Sequence, residues 1–158
     1  NVVGADPKAE IGEFHWPETH LIPLILDAVE EKRDVLTIFG TDYDTPDGTC
    51  ICDYVHLCDL VDAHVFWLKW LQDGSRSRIF NMGTGDGFSV CEVVDQAGHV
   101  TNKPLPIVER SRRPGDCTKL VSGSSRAVAK FGWSADRSNM KQMITDVWHW
   151  HQTGGYSE

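Results

Sequence analysis

An α/β fold is the architecture this sequence predicts, on three observations. Apolar residues recur at helical spacing within residues 19–32, 59–74 and 138–151. Short β-branched or apolar runs lie around these stretches, at residues 35–39, 50–57, 78–82 and 104–109. Helical and extended segments alternate along the chain, the pattern of helices laid on a sheet. No internal repeat or low-complexity tract interrupts it.

Residues 1–18 are rich in turn formers: Gly4, Asp6-Pro7, Gly12 and Trp16-Pro17 break any regular period. The first helix is expected from Thr19 to about Lys32. Leu21, Ile22, Ile25, Ala28 and Val29 form its apolar face, and Glu30 and Glu31 point outward. Pro23 falls in its first turn, where the missing N–H costs little. Residues 35–39 form a strand closed by Gly40, and Asp42 to Gly48 make a long polar turn. Residues 50–57 read as one second strand.

Asp59 is the expected N-cap of a helix ending at Gly74. Leu60, Val61, Ala63, Val65, Phe66, Trp67, Leu68, Trp70 and Leu71 wrap most of its circumference, the mark of a helix buried in a larger body. Residues 78–82 read as a strand entering Gly83-Thr84-Gly85-Asp86-Gly87. Ser89 and Glu92 then make a capping box for the next helix. Pro104 to Glu109 are a strand and Lys119 to Val121 are extended. Ser124 or Ser125 caps a short helix reaching Phe131. The last helix spans residues 138–151, with Met140, Met143, Ile144, Val147 and Trp148 on one face and Gly154-Gly155 as its stop.

Bulk properties exclude several functions. At 158 residues the chain is one domain's worth of material. A net charge of −8 argues against nucleic acid as the main partner, since phosphate contacts need clustered Lys and Arg. No apolar run approaches the ~20 residues that cross a bilayer, and no basic-then-apolar leader opens the chain. Neither membrane nor secretion is expected. Five cysteines, Cys50, Cys52, Cys58, Cys91 and Cys117, are an odd number and read as free thiols of a cytoplasmic protein. Cys50-x-Cys52 with Cys58, His56 and His64 lacks the spacing of a zinc site, so no metal is expected there. The Gly83–Gly87 turn misses the G-x-G-x-x-G spacing by one residue and reads as a tight structural turn.

Two segments carry the functional signal. The first runs from Ile38-Phe39-Gly40 through the acidic turn to Cys52-Asp53-Tyr54-Val55-His56. The second is Arg112-Arg113-Pro114-Gly115-Asp116. Arg113 offers a planar fork suited to bidentate phosphate binding, and Asp116 can accept hydroxyl protons. The Pro-Gly corner can aim both into one space. Read without other context, the same residues are also an ordinary surface ion pair worth ~0–1 kcal/mol.

These segments, in this order and spacing, resemble the substrate lobe of the UDP-glucose 4-epimerases of the extended short-chain dehydrogenase/reductase family, along the whole chain. The resemblance implies roles residue by residue. Arg113 and Asp116 hold phosphate and ribose of a UDP-sugar. The backbone of Thr37, Ile38 and Phe39 reads the uracil. Asn1 touches diphosphate and sugar, and His20 and Leu21 line the phosphates, although better-known members carry Asn in place of His20. Leu120 walls the sugar pocket, where a buried leucine is equally explained by packing. Cys52 and Tyr54 occupy an Arg-Asp-Tyr segment whose Arg is a second phosphate clamp. A thiol replaces neither its charge nor its fork. Cys91 and Trp67 are further departures.

The resemblance further implies NAD as cofactor and a Tyr-x-x-x-Lys pair in catalysis. Neither that pair nor a G-x-x-G-x-x-G fingerprint occurs in this sequence, so no catalytic residue is assigned. Residues 1–158 are therefore expected to be the C-terminal UDP-sugar-binding region of a longer, homodimeric enzyme, with Asn1 opening directly in motif-like sequence. Residues 78–82 and the helix after them would belong to its Rossmann layer. The region alone should expose apolar surface and be inactive. Rival expectations are a sister enzyme (a UDP-pentose or uronate epimerase, or a dehydratase), a non-catalytic UDP-binding module, and a remnant without ligand.

Overall fold

The computed structural model describes residues 1–153. Strand β1 (Val2–Val3) leads through a long loop to helix α1 (Leu21–Val29), then strand β2 (Leu36–Phe39). Strands β3 (Ile51–Cys52) and β4 (Val55–His56) precede helix α2 (Leu57–Gln72). Strand β5 (Phe88–Ser89), helix α3 (Val90–Thr101), strand β6 (Ile107–Arg110) and strand β7 (Lys119–Leu120) follow. Helices α4 (Ser125–Phe131) and α5 (Met140–Gln152) complete the described part.

The alternation of strands and helices expected from the sequence is present, but as three small sheets. β2 pairs parallel with β6, and β1 parallel with β4. β3 lies between antiparallel β5 and parallel β7. Helices α1, α3 and α5 pack together against β2. Ile25, Leu26, Leu36, Val93, Ala97, Met143 and Ile144 are almost wholly shielded from water there. Each large aliphatic side chain so buried contributes about 1.5–3 kcal/mol. A second cluster of Val55, Ala63, Ala127 and Trp133 lies between α2 and α4.

Several boundaries differ from the sequence expectation, each for a local reason. α1 begins at Leu21 because the Glu18 carboxylate accepts the N–H groups of Thr19 and His20, both at 2.7 Å. It ends at Val29, and Glu31 then turns to positive φ. Glu30 does not point freely outward: it pairs with Lys32 and His151, both at 2.8 Å. The single strand expected at residues 50–57 splits in two at Asp53, so β3 and β4 join different sheets.

Residues 78–82 form no strand, since a strand needs a partner ladder and none lies alongside among the described residues. Ile79 is 82% exposed. The capping box on α3 forms as expected: Ser89 Oγ accepts from Glu92 N and the Glu92 carboxylate from Ser89 N. α5 is capped by Asn139 rather than started by Ser138. Gly154-Gly155, expected to stop it, lie outside the described residues.

α2 is capped by His56, whose Nδ1 accepts from Cys58 N at 3.0 Å. Asp59, expected as its cap, is instead a buried carboxylate in the first turn. It accepts from Ser138 Oγ (2.6 Å), Arg137 N and Arg137 Nη1. With Nδ1 an acceptor, the His56 Nε2–H donates to Asp146 at 3.0 Å, fastening α2 to α5. Val61, Val65, Leu68 and Leu71 of α2 lie exposed, and Ala63 is its buried apolar residue. No helix among the described residues is long and apolar enough to cross a membrane.

Candidate nucleotide-sugar site

β2 is an edge strand of its sheet. Leu36 and Gly40 donate their N–H groups toward β6, each at 2.8 Å. Parallel pairing alternates, so Thr37 and Phe39 turn their backbone groups to the opposite edge. Ile38 is buried, while Thr37 and Phe39 are half-buried. Gly40 then turns with φ of 79°. A Cβ there would stand 2.5 Å from the Tyr43 ring and 2.7 Å from Arg112 Cγ, so only glycine lets the chain leave β2 at this point.

The far end of β6 brings Arg113 back over that strand. Its guanidinium lies 4.9 Å from the Phe39 ring centroid. It donates to Asp116 through Nε (3.0 Å) and Nη2 (3.3 Å). Gly115, at φ of 93°, makes the corner that closes this fork. Three of the five guanidinium N–H groups remain available beyond that pair. Beside it, Arg112 stacks on Tyr43 at 4.1 Å and pairs with Asp42 at 2.7 Å. Arg112 and Tyr43 lie in the two segments that carry the functional signal, but neither was assigned a role of its own, since their contact joins residues about 70 positions apart.

A second group surrounds a cavity of about 250 Å³ lined by Asn1, Glu13, His20, Leu21, Tyr54 and Val147, among others. The Asn1 amide donates to the Asp53 carbonyl at 3.1 Å. His20 stands just outside α1, with its Nδ1 2.9 Å from Glu18. Tyr54 is buried, and burial pushes its phenol pKa well above the ordinary value. Cys52 on β3 connects the two groups along the chain: it is half-buried, opposite Phe88 on one side and Leu120 on the other. Leu120 is 64% exposed, which removes packing as its explanation. Burial raises the thiol pKa values of Cys50, Cys58 and Cys91, the opposite of what a nucleophilic or metal-binding thiolate requires.

The glycine-rich turn at residues 83–87 is held by Asp53. That carboxylate accepts from Thr84 N, Thr84 Oγ1 (2.6 Å) and Ser122 N. The N–H a phosphate would need is thus taken by a fixed anion. The turn therefore does not fit the diphosphate of a dinucleotide.

Residues 1–83 match the model of a family described as the NAD dependent epimerase/dehydratase family. The UDP-glucose 4-epimerase of Streptococcus mutans is 42% identical over 153 residues, 97% of this chain and 46% of that protein. A solved UDP-glucose 4-epimerase structure superimposes with a TM-score of 0.96 at 48% identity, covering all of this chain and 48% of the other. The UDP-glucose 4-epimerase of Bifidobacterium longum, solved in complex with NAD+ and UDP, superimposes with a TM-score of 0.89 at 29% identity. It covers all of this chain and 47% of its own. The chain spans about half the length of these relatives.

Proposed function

The chain belongs to the NAD dependent epimerase/dehydratase family, and from that premise we propose that it is the UDP-sugar-binding portion of a UDP-glucose 4-epimerase. The observation that carries this reading is the Arg113–Asp116 fork over the Phe39 ring at the end of β2. It meets the needs of a uridine diphosphate. The Thr37–Phe39 edge supplies amide groups for a uracil, the guanidinium suits a diphosphate, and Asp116 accepts from ribose hydroxyls. The cavity beside Asn1, His20, Leu21 and Tyr54 is assigned to the diphosphate and sugar, and the resemblance assigns the exposed Leu120 to the sugar's wall.

NAD is the family's cofactor. The glycine-rich turn of this chain does not fit it, so its binding is assigned to the half of the relatives that this chain does not match. With that half would come the catalytic groups and the homodimer contacts. This portion binds and orients the nucleotide and contributes no proton-transferring residue of its own. A reading as a weakened UDP-binding remnant is favoured by one observation, the half-buried Cys52 thiol where the resemblance expects a phosphate-clamping Arg.

Calorimetric titration of the chain with UDP tests the proposal. Binding that weakens about tenfold or more in Arg113→Ala supports it, since a charge-assisted contact is worth ~1.5–3 kcal/mol. Equal affinity in parent and variant refutes the site. Epimerase assay of the chain with NAD should give no turnover. Turnover would refute the division of labour.

A further inference from the structure

We propose that His15, Glu18 and His20 form a site for a divalent transition-metal ion, of the Zn2+, Co2+ or Ni2+ class, on the loop entering α1. His20 Nδ1 lies 2.9 Å from Glu18 Oε1 and His15 Nδ1 lies 4.0 Å from the same oxygen. One donor atom from each residue falls within 4.8 Å of the others. The two rings are 5.0 Å apart and tilted by 60°. Both turn Nδ1 toward one carboxylate oxygen. Ligands at the usual ~2.0–2.2 Å from a metal need only about an ångström of closure from these positions.

The carboxylate is fixed in advance. The Glu18 side chain is only 7% exposed, and the N–H groups of Thr19 and His20 bind Oε1 at 2.7 Å each. Such backbone contacts orient a metal-ligating carboxylate as outer contacts do in established sites. The imidazoles are on the solvent side and can rotate to meet an ion. Glu13 Oε1 is 3.8 Å from His20 Nδ1 and adds negative charge beside the three donors. Two imidazole nitrogens with carboxylate oxygens select borderline metals over Ca2+ or Mg2+. Glu13 and His20 both line the 250 Å³ cavity, so a coordination position left to water opens toward it. The cysteine spacing gave no hint of this cluster: its donors come from a short loop, and their convergence depends on how that loop folds.

This proposal does not rest on the UDP reading, and its test contains no nucleotide. The full chain is titrated with Co2+, followed by calorimetry and visible absorbance. One ion per chain is expected, with a weak visible band of nitrogen and oxygen ligands and no intense near-ultraviolet thiolate band. His15→Ala and Glu18→Gln should each weaken binding about tenfold or more, at least the effect of losing an outer contact. His15 is exposed, so its variant keeps the fold. His99→Ala, at an exposed histidine on α3, should leave affinity unchanged. No binding, a thiolate band, or full affinity in the double variant His15→Ala/His20→Ala would overturn the site.

Discussion

The Arg113 guanidinium lies over the Phe39 ring, 4.9 Å from its centroid. The contact ties the end of β2 to the segment after β6. Asp116 accepts from the same guanidinium through Nε and Nη2. The geometry is that of a pre-oriented cation with donors to spare, which is the arrangement a diphosphate rewards.

Replacing Arg113 by Lys separates charge from shape. Arg113→Lys retains a cation but loses the two-point bonding to Asp116 and the guanidinium contact with the Phe39 ring. UDP affinity should fall about tenfold while thermal stability stays nearly unchanged, because an exposed ion pair contributes ~0–1 kcal/mol. Titration beside a melting curve separates the two effects. Unaltered affinity would mean that the planar fork is not what binds.

Cys52→Arg tests the departure on β3. A second guanidinium there should raise UDP affinity about tenfold, the worth of one charge-assisted hydrogen bond. Position 52 is half-buried between Phe88 and Leu120, so the added charge must reach solvent or ligand. Calorimetry of both proteins gives the ratio, and no gain would remove position 52 from the site.

Gly83→Ala should destabilise the chain by about 3 kcal/mol, the upper end for overpacking. A Cβ at Gly83 would stand 2.0 Å from Ser122 O and 2.6 Å from Asp53 Oδ2. Ser122 cannot simply withdraw, because its N–H donates to Asp53 and its carbonyl accepts from Gly85 N. Denaturant midpoints measure the loss. A midpoint equal to the parent's would mean that the Asp53 clamp yields freely.

Stability should fall as pH drops below about 6.5. Burial holds the His151 imidazole below its ordinary pKa of 6.5, and the nearby Glu30 carboxylate, 2.8 Å away, offsets this only in part. Just below pH 6.5 the unfolded chain therefore binds more protons than the native one, and acid favours unfolding. Asp27 acts with the opposite sign, since burial raises its pKa, but its window opens upward from 3.8. Denaturation at pH 7.5 and pH 6 should show the lower midpoint at pH 6, and His151→Gln should flatten the difference. An unchanged slope in that variant would exclude His151 as its source.

Much of the fold was legible in local pattern. β2, the Ser89–Glu92 capping box, the apolar face of α5 and the Arg113-Pro114-Gly115-Asp116 corner each depend on residues close together in sequence. Their signals survive folding because neighbouring residues set backbone dihedrals, caps and helix faces directly. The resemblance also led to the family, through motifs whose order is a property of the chain alone.

Other features came from contacts that no short window contains. Asp53 splits residues 50–57 because Thr84 and Ser122 supply its donors from distant segments. His56 displaces Asp59 as the α2 cap once Asp59 is committed to Ser138 and Arg137. Residues 78–82 have strand composition without a ladder, and Leu120 has core chemistry without a core around it. Composition can state that a side chain prefers burial or pairing. Whether a partner stands within hydrogen-bonding or van der Waals reach is settled by segments far apart in the chain, when the molecule closes on itself.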